Sequence, residues 1–434
     1  MSDYIFMLES HLSTDQSRAV EEVQAAAGQA NVNLFLTGGA MRDMLAGFRI
    51  RDLDFVVEGN ALKMAKAVAA HAGARLLSVD EDRKTAELLF PSGVTVQIAM
   101  SRQEKYARSG GKPQVSLATI QEDLRGRDFT CNSIALSLNR ASRGLLLDPM
   151  NGLADIERRE LRLTSPYGFY DDPSRLLRLT RFRARLGFAI EERTQMQVSN
   201  AREAEVEKSI PRRALAEELK RIGMEDNPGE IVRALEEAGL LPLFSPSLAG
   251  PRVNLSGLAK LEKIMRSLPD EPRFRGGRLG PFLFAFAEKL TVREKQALIK
   301  SMEMRKAEID LWMKLEARAK KLETALRSAR LRKASQVYFL LVKAEPDEVL
   351  FLLYHSTLKP VQERLRNYFQ KYVPAVQEIA PEEWAAVDAK AGARRNRARE
   401  EFVANRLDRR VRKPAPPPPP PPPVVETSMV RRTR

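Results

Sequence analysis

The sequence predicts an α/β head followed by a long all-helical part, α+β overall. Three observations predict it. Short apolar runs of strand length alternate with amphipathic stretches over roughly residues 31–150. Beyond Asp155 the strand signals fade while helical spacing continues. Glycines close the helical stretches of the first part, at Gly28, Gly47 and Gly73. At 434 residues the chain exceeds one compact core, so about two to four domains are expected.

Residues 13–30, opening on a Ser/Thr/Asp cluster that can cap a helix, read as an N-terminal helix. "NLFLT" is a short strand, "GAMRDMLAG" a short helix and "LDFVV" a second strand. "ALKMAKAVAAHAG" is an amphipathic helix, and "ARLLSV", "TAELLF" and "VTVQIAM" are three further strands with "PSG" turning between the last two. Later, "PSRLLRLTRFRARLGF", "RRALAEELKRIGM" and "GEIVRALEEAGLL" carry helical periodicity, as do "REKQALIKSMEM" and "DLWMKLEARAKKLETALRSARL".

Composition restricts the function classes. No apolar run reaches membrane-spanning length, and the first residues lack the basic and apolar regions of a secretory signal. One cysteine, Cys131, excludes an internal disulfide framework and a cysteine zinc site; as the lone thiol it reads as buried filler. The three histidines (His11, His71, His355) are not at metal-ligand spacing, and His71 is expected to be packed. A reducing, cytoplasmic setting follows. The net charge of +15 suggests a polyanionic partner, yet residues 390–434 hold thirteen basic and four acidic residues, which leaves +6 for the rest. Individual arginines therefore carry more information than the total.

The chemistry sits in "NLFLTGGAMRDMLAGFRIRDLDFVV". Gly38-Gly39 between a strand and a helix lets the backbone approach a ligand, and the helix start favours an anion. Arg42 adds a charge-assisted donor suited to phosphate. Asp52 and Asp54, at i and i+2 of a strand, project from one face and repel unless a cation lies between them. Oxygen-only ligation of this kind suits Mg²⁺, which also takes oxygens from substrate phosphates.

In this order the motifs resemble those of the polymerase β-like nucleotidyltransferases. Within them the likeness is to class II tRNA nucleotidyltransferases (CCA-adding enzymes) and bacterial poly(A) polymerases. The family's first motif, GG-x-x-R-D followed by Asp-x-Asp, is matched by Gly38, Gly39, Arg42, Asp43, Asp52 and Asp54. "EDLRGRDFTCNSIALSL" is similar to its ribose-recognition motif, matching Asp123, Arg127, Asp128 and Asn132. "LLDPMNGLADIERRELR" is similar to the segment joining head to neck. "FYDDPSRLLRLTRFRARLGF" resembles the Glu-Asp-x-x-Arg motif, which puts Asp172 and Arg175 where the family reads the incoming base. An aspartate and an arginine three apart on a helix supply acceptors and donors on one side, as a Watson–Crick edge requires.

The match has three departures. Gln97, in "VQIAMSR", stands where the family has its third carboxylate; Gly126 replaces the first arginine of a pair; and Asp171 replaces a glutamate. A carboxylate at 97 would bind the metal that activates the attacking hydroxyl, whereas glutamine keeps only a carbonyl acceptor. Downstream, Arg178, Arg181 and Arg185 fall in one sector of a helix, facing either RNA or triphosphate, or forming a solvated face.

The resemblance implies Mg²⁺-dependent transfer of AMP or CMP from ATP or CTP to the 3′ end of tRNA, with no membrane partner. Its alternatives are a poly(A) polymerase and a catalytically weakened RNA-binding paralogue. The implied organisation is an N-terminal helix (1–30), a catalytic nucleotidyltransferase head (31–150) and a helical neck with the base-recognition motif (151–225). A helical, RNA-binding body and tail (226–380) and a basic, Pro-rich, disordered end (381–434) complete it. Removing that end is expected to cost no stability.

Overall fold

The computed structural model describes residues 3–268, 272–304, 306–391 and 394–410. By packing, the chain divides into two units: Met1–Lys320 with Pro346–His355, and Lys321–Glu345 with Ser356–Arg434.

The first unit opens with α1 (Asp3–His11) and α2 (Thr14–Ala30). Helix α2 starts at a capping box: the Gln16 N–H donates to Ser13 Oγ at 3.2 Å and the Ser13 N–H to Gln16 Oε1 at 3.0 Å. Then follow β1 (Asn33–Thr37), α3 (Gly38–Leu45), β2 (Leu53–Glu58), α4 (Ala61–Ala72), β3 (Arg75–Asp80), β4 (Thr85–Leu89) and β5 (Thr95–Met100), as the sequence indicates. A polar hairpin, β6 (Arg102–Lys105) and β7 (Gln114–Leu117), and α5 (Ile120–Gly126) follow. Two short strands, β8 (Ala135–Ser137) and β9 (Leu146–Leu147), complete a seven-stranded sheet in the order β3-β4-β5-β2-β1-β8-β9. Within this sheet only the β2–β5 pair is parallel.

Strand alternation divides this sheet into two faces. Leu34, Leu36, Leu53, Phe55, Val96, Ile98, Ala86 and Leu88 join α2 and α4 in the main core. On the other face Phe35, Val56, Ala99 and Ala135 pack against Ile120 and Leu124 of α5. The same face carries Thr37, paired with Asp54, then Gln97 and Glu87 in one row across β1, β2, β5 and β4. That row is polar: Asp54 and Glu87 are half-buried and Gln97 is exposed.

The neck contains α6 (Gly152–Arg158), a two-stranded pair β10 (Glu160–Leu161) and β11 (Ala189–Ile190), α7 (Gly168–Asp171), α8 (Arg175–Leu186) and α9 (Glu192–Glu203). Helices α10 (Arg212–Met224) and α11 (Pro228–Glu237) follow. A second core runs from Leu177 through Leu219, Ile231, Phe282 and Trp312 to Tyr354, so no packing boundary falls at residue 225. Among the described residues no helix is long and apolar enough to cross a membrane.

The second unit corrects the expectation of a disordered end. Pro381–Ala391 and Arg395–Arg410 are helices, with Val403 and Leu407 buried and Trp384 edge-on to Phe402 at 6.0 Å. Asp388 pairs with Arg395 at 2.6 Å and with Arg399, and Asp408 accepts from the Ser335 N–H and hydroxyl, both at 3.0 Å. Arginine-rich composition concealed the spacing of Phe402, Val403 and Leu407, which gives the helix one apolar face. The eight prolines, Pro416–Pro423, lie outside the described residues.

Candidate nucleotidyl-transfer site

The site begins at the end of β1. Gly38 adopts φ +64°, a left-handed conformation that side chains disfavour. A Cβ there would lie 3.2 Å from both Arg127 Nη1 and Asp54 Oδ2, and one at Gly39 also 3.2 Å from Asp54 Oδ2. The glycines thus let the turn press against a carboxylate, which accepts from the Gly39 N–H at 3.1 Å. Asp52 immediately precedes β2 instead of lying within it, and its side chain is exposed.

The electrostatics of the pair are strained. Burial and the neighbouring Asp52 push the Asp54 carboxyl up to about 6, against the Gly39 N–H, Arg127 and Arg42. Although Asp52 is open to solvent on one side, the protein packed around it raises its carboxyl, opposed by Arg51 and Arg185. A cation between them would relieve both effects, and an all-oxygen donor set fits a hard divalent ion. Among the described residues no group of three or more His, Cys, Asp or Glu converges on a metal position. Gln97 is the register partner of Asp54 and Glu87 that of Gln97, so the nearest further carboxylate in the row stands two strands from Asp54.

Arg42 is buried. Its Nε and Nη2 donate to Asp43 Oδ1 at 2.9 and 2.7 Å, and its Nη1 to Asn132 Oδ1 at 2.8 Å. Its guanidinium lies 4.9 Å from the Phe182 ring centroid, and Nη2 lies 3.6 Å from a Cβ built on Gly39. It therefore braces the turn from behind, with three of its N–H groups committed to protein acceptors. Arg127 is closer to the opening: Nη2 donates to Thr37 Oγ1 at 3.1 Å, Nη1 to the Asn132 carbonyl at 3.1 Å, and Nε to Asp123 Oδ1 at 3.0 Å. Asp123 accepts in addition from the Arg102 N–H at 3.2 Å, which ties the hairpin to this arginine.

Asp128 is buried, its Oδ1 accepting from the Phe129 N–H at 2.8 Å and from Asn132 Nδ2 at 3.0 Å, while its Oδ2 pairs with Arg178 Nη2 at 2.6 Å. Burial works against its charge, but Arg178 and the Asn132 hydrogen bond hold the carboxyl below its ordinary range. Asn132 consequently bridges Arg42 and Asp128. Cys131, beside it, is buried, and desolvation pushes its thiol up to about 12, an inert position.

Asp172 and Arg175, the pair expected to read the base, lie where α7 meets α8. Asp172 Oδ1 accepts from the Ser174 N–H at 3.1 Å and hydroxyl at 2.6 Å. Arg175, 8% exposed, donates from Nη2 to the Gly126 carbonyl at 3.1 Å. The structure thereby joins two motifs far apart in the chain, and a Cβ at Gly126 would meet nothing within 4 Å. Tyr106, after β6, was not singled out from sequence. Its hydroxyl donates to Glu104 at 2.7 Å, and burial, Glu104 and then Asp172 raise its pKa, so the hairpin reaches the electrostatic neighbourhood of Asp172.

The arginine sector of α8 faces inward. Arg178 pairs with Asp128, Arg181 with Glu218 and Glu225, and Arg185 with Asp43 and Glu225. Burial and the nearby Arg42 push Arg185 down to about 10. The expected RNA-facing or solvated stripe is therefore replaced by internal ion pairs, whose acids come from other elements. His71 also departs from expectation: it is exposed and 3.5 Å from Glu22 instead of packed.

A glycine turn against a strand carboxylate, a second carboxylate two residues before it and an arginine over the turn define a nucleotidyltransferase head of the polymerase β type. Residues 34–162 match the family described as the poly A polymerase head domain. An A-adding tRNA nucleotidyltransferase of Aquifex aeolicus is 30% identical over 78% of this chain and 40% of its own. The CC-adding enzyme of Deinococcus radiodurans is 36% identical over 52% of this chain and 60% of its own. A solved CCA-adding enzyme in an apo form superposes with TM-score 0.53 at 25% identity, covering 94% of this chain and 95% of that one. The chain is thus similar to the poly A polymerase head over residues 34–162 and, over a longer stretch, to A-adding and CC-adding tRNA nucleotidyltransferases. It spans about 40–45% of the length of the three A-adding relatives it matches.

Proposed function

We propose that the chain is a Mg²⁺-dependent nucleotidyltransferase that adds AMP or CMP, from ATP or CTP, to the 3′ end of tRNA. The observation that carries this is Asp54 wedged against the Gly38–Gly39 turn, with Asp52 and Arg127 beside it. In the transfer, the acceptor 3′ oxygen attacks the α-phosphorus and loses its proton, the bond to the β-phosphate bridging oxygen breaks, and pyrophosphate leaves. Asp52 and Asp54 would hold Mg²⁺, which when bound would supply Lewis-acid activation of the hydroxyl and offset phosphate charge. Gly38, Gly39 and Arg127 hold the triphosphate, and Arg42 keeps the turn in place. Asp128 and Asn132 shape the ribose side through Arg178 and Arg42, while Asp172 and Arg175 read the base edge.

The relatives named A-adding support AMP as one of the nucleotides, and the CC-adding one supports CMP. A solved tRNA-processing enzyme with CTP, TM-score 0.50 at 25% identity, supports CTP as one of the nucleotides. A cytoplasmic setting belongs to this reading. The test is incubation with Mg²⁺, labelled ATP or CTP, and tRNA ending before C, before A, or complete. Single additions that stop at the complete end support the reading. Long adenylate tracts indicate a poly(A) polymerase, and no transfer to any end indicates an RNA-binding paralogue.

A further inference from the structure

Behind the metal-binding strand lies a buried ion-pair cluster with Glu225 at its centre. Glu225 follows α10 and is 6% exposed. Its Oε2 lies 2.7 Å from Arg51 Nη2 and 3.4 Å from Arg185 Nε, and its Oε1 lies 3.0 Å from Arg181 Nη1. These guanidiniums come from two places with different duties. Arg51 is the chain neighbour of Asp52, whereas Arg181 and Arg185 belong to α8, whose first residue is Arg175.

Each arginine keeps a second acid. Arg181 pairs with Glu218, Arg51 has Asp226 at 4.0 Å, and Arg185 meets Asp43 Oδ2 at 2.5 Å. Asp43 in turn accepts from Arg42, which backs the glycine turn. Glu225 alone of these acids contacts all three. Buried ion networks rarely stabilise a fold more than apolar packing would, and their best-attested use is to fix one geometry over its neighbours. Arg42, Arg51, Arg181 and Arg185 face the four acids Asp43, Glu218, Glu225 and Asp226, and Asp52 feels Arg51 and Arg185 from the same cluster.

We propose that Glu225 is a positioning residue for nucleotidyl transfer: by binding Arg51, Arg181 and Arg185 together it holds Asp52 in fixed register with α8 and Arg175. The proposal rests on the transferase reading above and adds the device that couples its metal ligand to its base-reading helix. Each half of the site binds its part of the nucleotide without Glu225. Their relative placement, which the transfer step needs, depends on it.

The test is Glu225→Gln in the full chain. Glutamine keeps the volume, and every arginine retains another carboxylate, so the chain folds. The expected result is a fall in kcat of about 10- to 100-fold, the loss that a misplacement of about 1 Å produces. KM for the nucleotide stays within about twofold, since ground-state contacts remain. Glu225→Asp, which keeps the charge on a shorter arm, recovers part of the rate, and Arg51→Ala combined with Glu225→Gln is no slower than the worse single variant. Hydrogen exchange supplies a second readout, with faster exchange confined to β2 and the start of α8. An unchanged kcat, or a loss that merely tracks a lowered melting temperature, overturns the proposal. If the native chain transfers nothing, the function reading fails by itself. Exchange then decides: localised deprotection in Glu225→Gln sustains the coupling, and unchanged protection of β2 overturns it.

Discussion

Replacing Asp54 by asparagine should stabilise the metal-free protein while abolishing transfer. The native carboxyl, raised from 3.8 to about 6 by burial and Asp52, ionises at a cost to the folded state. A shift of about two units corresponds to roughly 3 kcal/mol, as a ceiling, at about 1.4 kcal/mol per unit. The sign follows from linkage. A folded pKa above the unfolded value gives stability that is full below about pH 4 and lost as pH rises through about 6. The native head therefore gives up as much as about 3 kcal/mol between pH 4 and 7 that Asp54→Asn keeps. Asparagine Oδ1 still accepts from the Gly39 N–H, so the turn is not released. The assay is thermal unfolding with a chelator at pH 4, 6 and 8, alongside nucleotide transfer. The two proteins should melt together at pH 4, with the variant several degrees higher at pH 8. Mg²⁺ should narrow the gap by stabilising only the native protein. No gain at pH 8, or the same gain at pH 4, would refute the electrostatic argument. Retention of most activity would refute the assignment of Asp54 as a metal ligand.

Three further outcomes are expected. Gly38→Ala places a Cβ 3.2 Å from Arg127 and Asp54 at φ +64°, so it should cost about 1–2 kcal/mol of stability and at least about tenfold in transfer rate, read by melting and steady-state kinetics. Gln97→Asp adds a charge beside Asp54 and should raise kcat about tenfold with nucleotide affinity little changed; a fall would show that glutamine is the adapted residue. Truncation before Arg394 removes Val403 and Leu407 from the second unit, at about 1.5–3 kcal/mol each, and an unaltered melting profile would show that the Arg395–Arg410 helix contributes nothing.

Much of the head was legible in the sequence because its determinants are local. Strand and helix periods, the Ser13 cap and the left-handed Gly73 closing α4 each depend on neighbours a few residues away. The glycine turn and Asp54 are equally local to the ends of two strands, so their meeting followed once β1 and β2 were recognised as strands. The β6–β7 hairpin escaped because "RQEK" carries no apolar alternation, and the last helix because arginines dominate its composition.

Tertiary structure alone decided what the arginines do. Arg42 suited phosphate by its place after the glycines, yet Asp43 and Asn132, the latter ninety positions on, take three of its N–H groups. Arg178, Arg181 and Arg185 formed a stripe whose direction depended on Asp128, Asp43, Glu218 and Glu225, acids between 37 and 142 positions away. A guanidinium binds a carboxylate or a phosphate with the same fork of donors. Sequence spacing fixes which face of the helix it leaves from, and only the packing of distant elements determines which anion it meets.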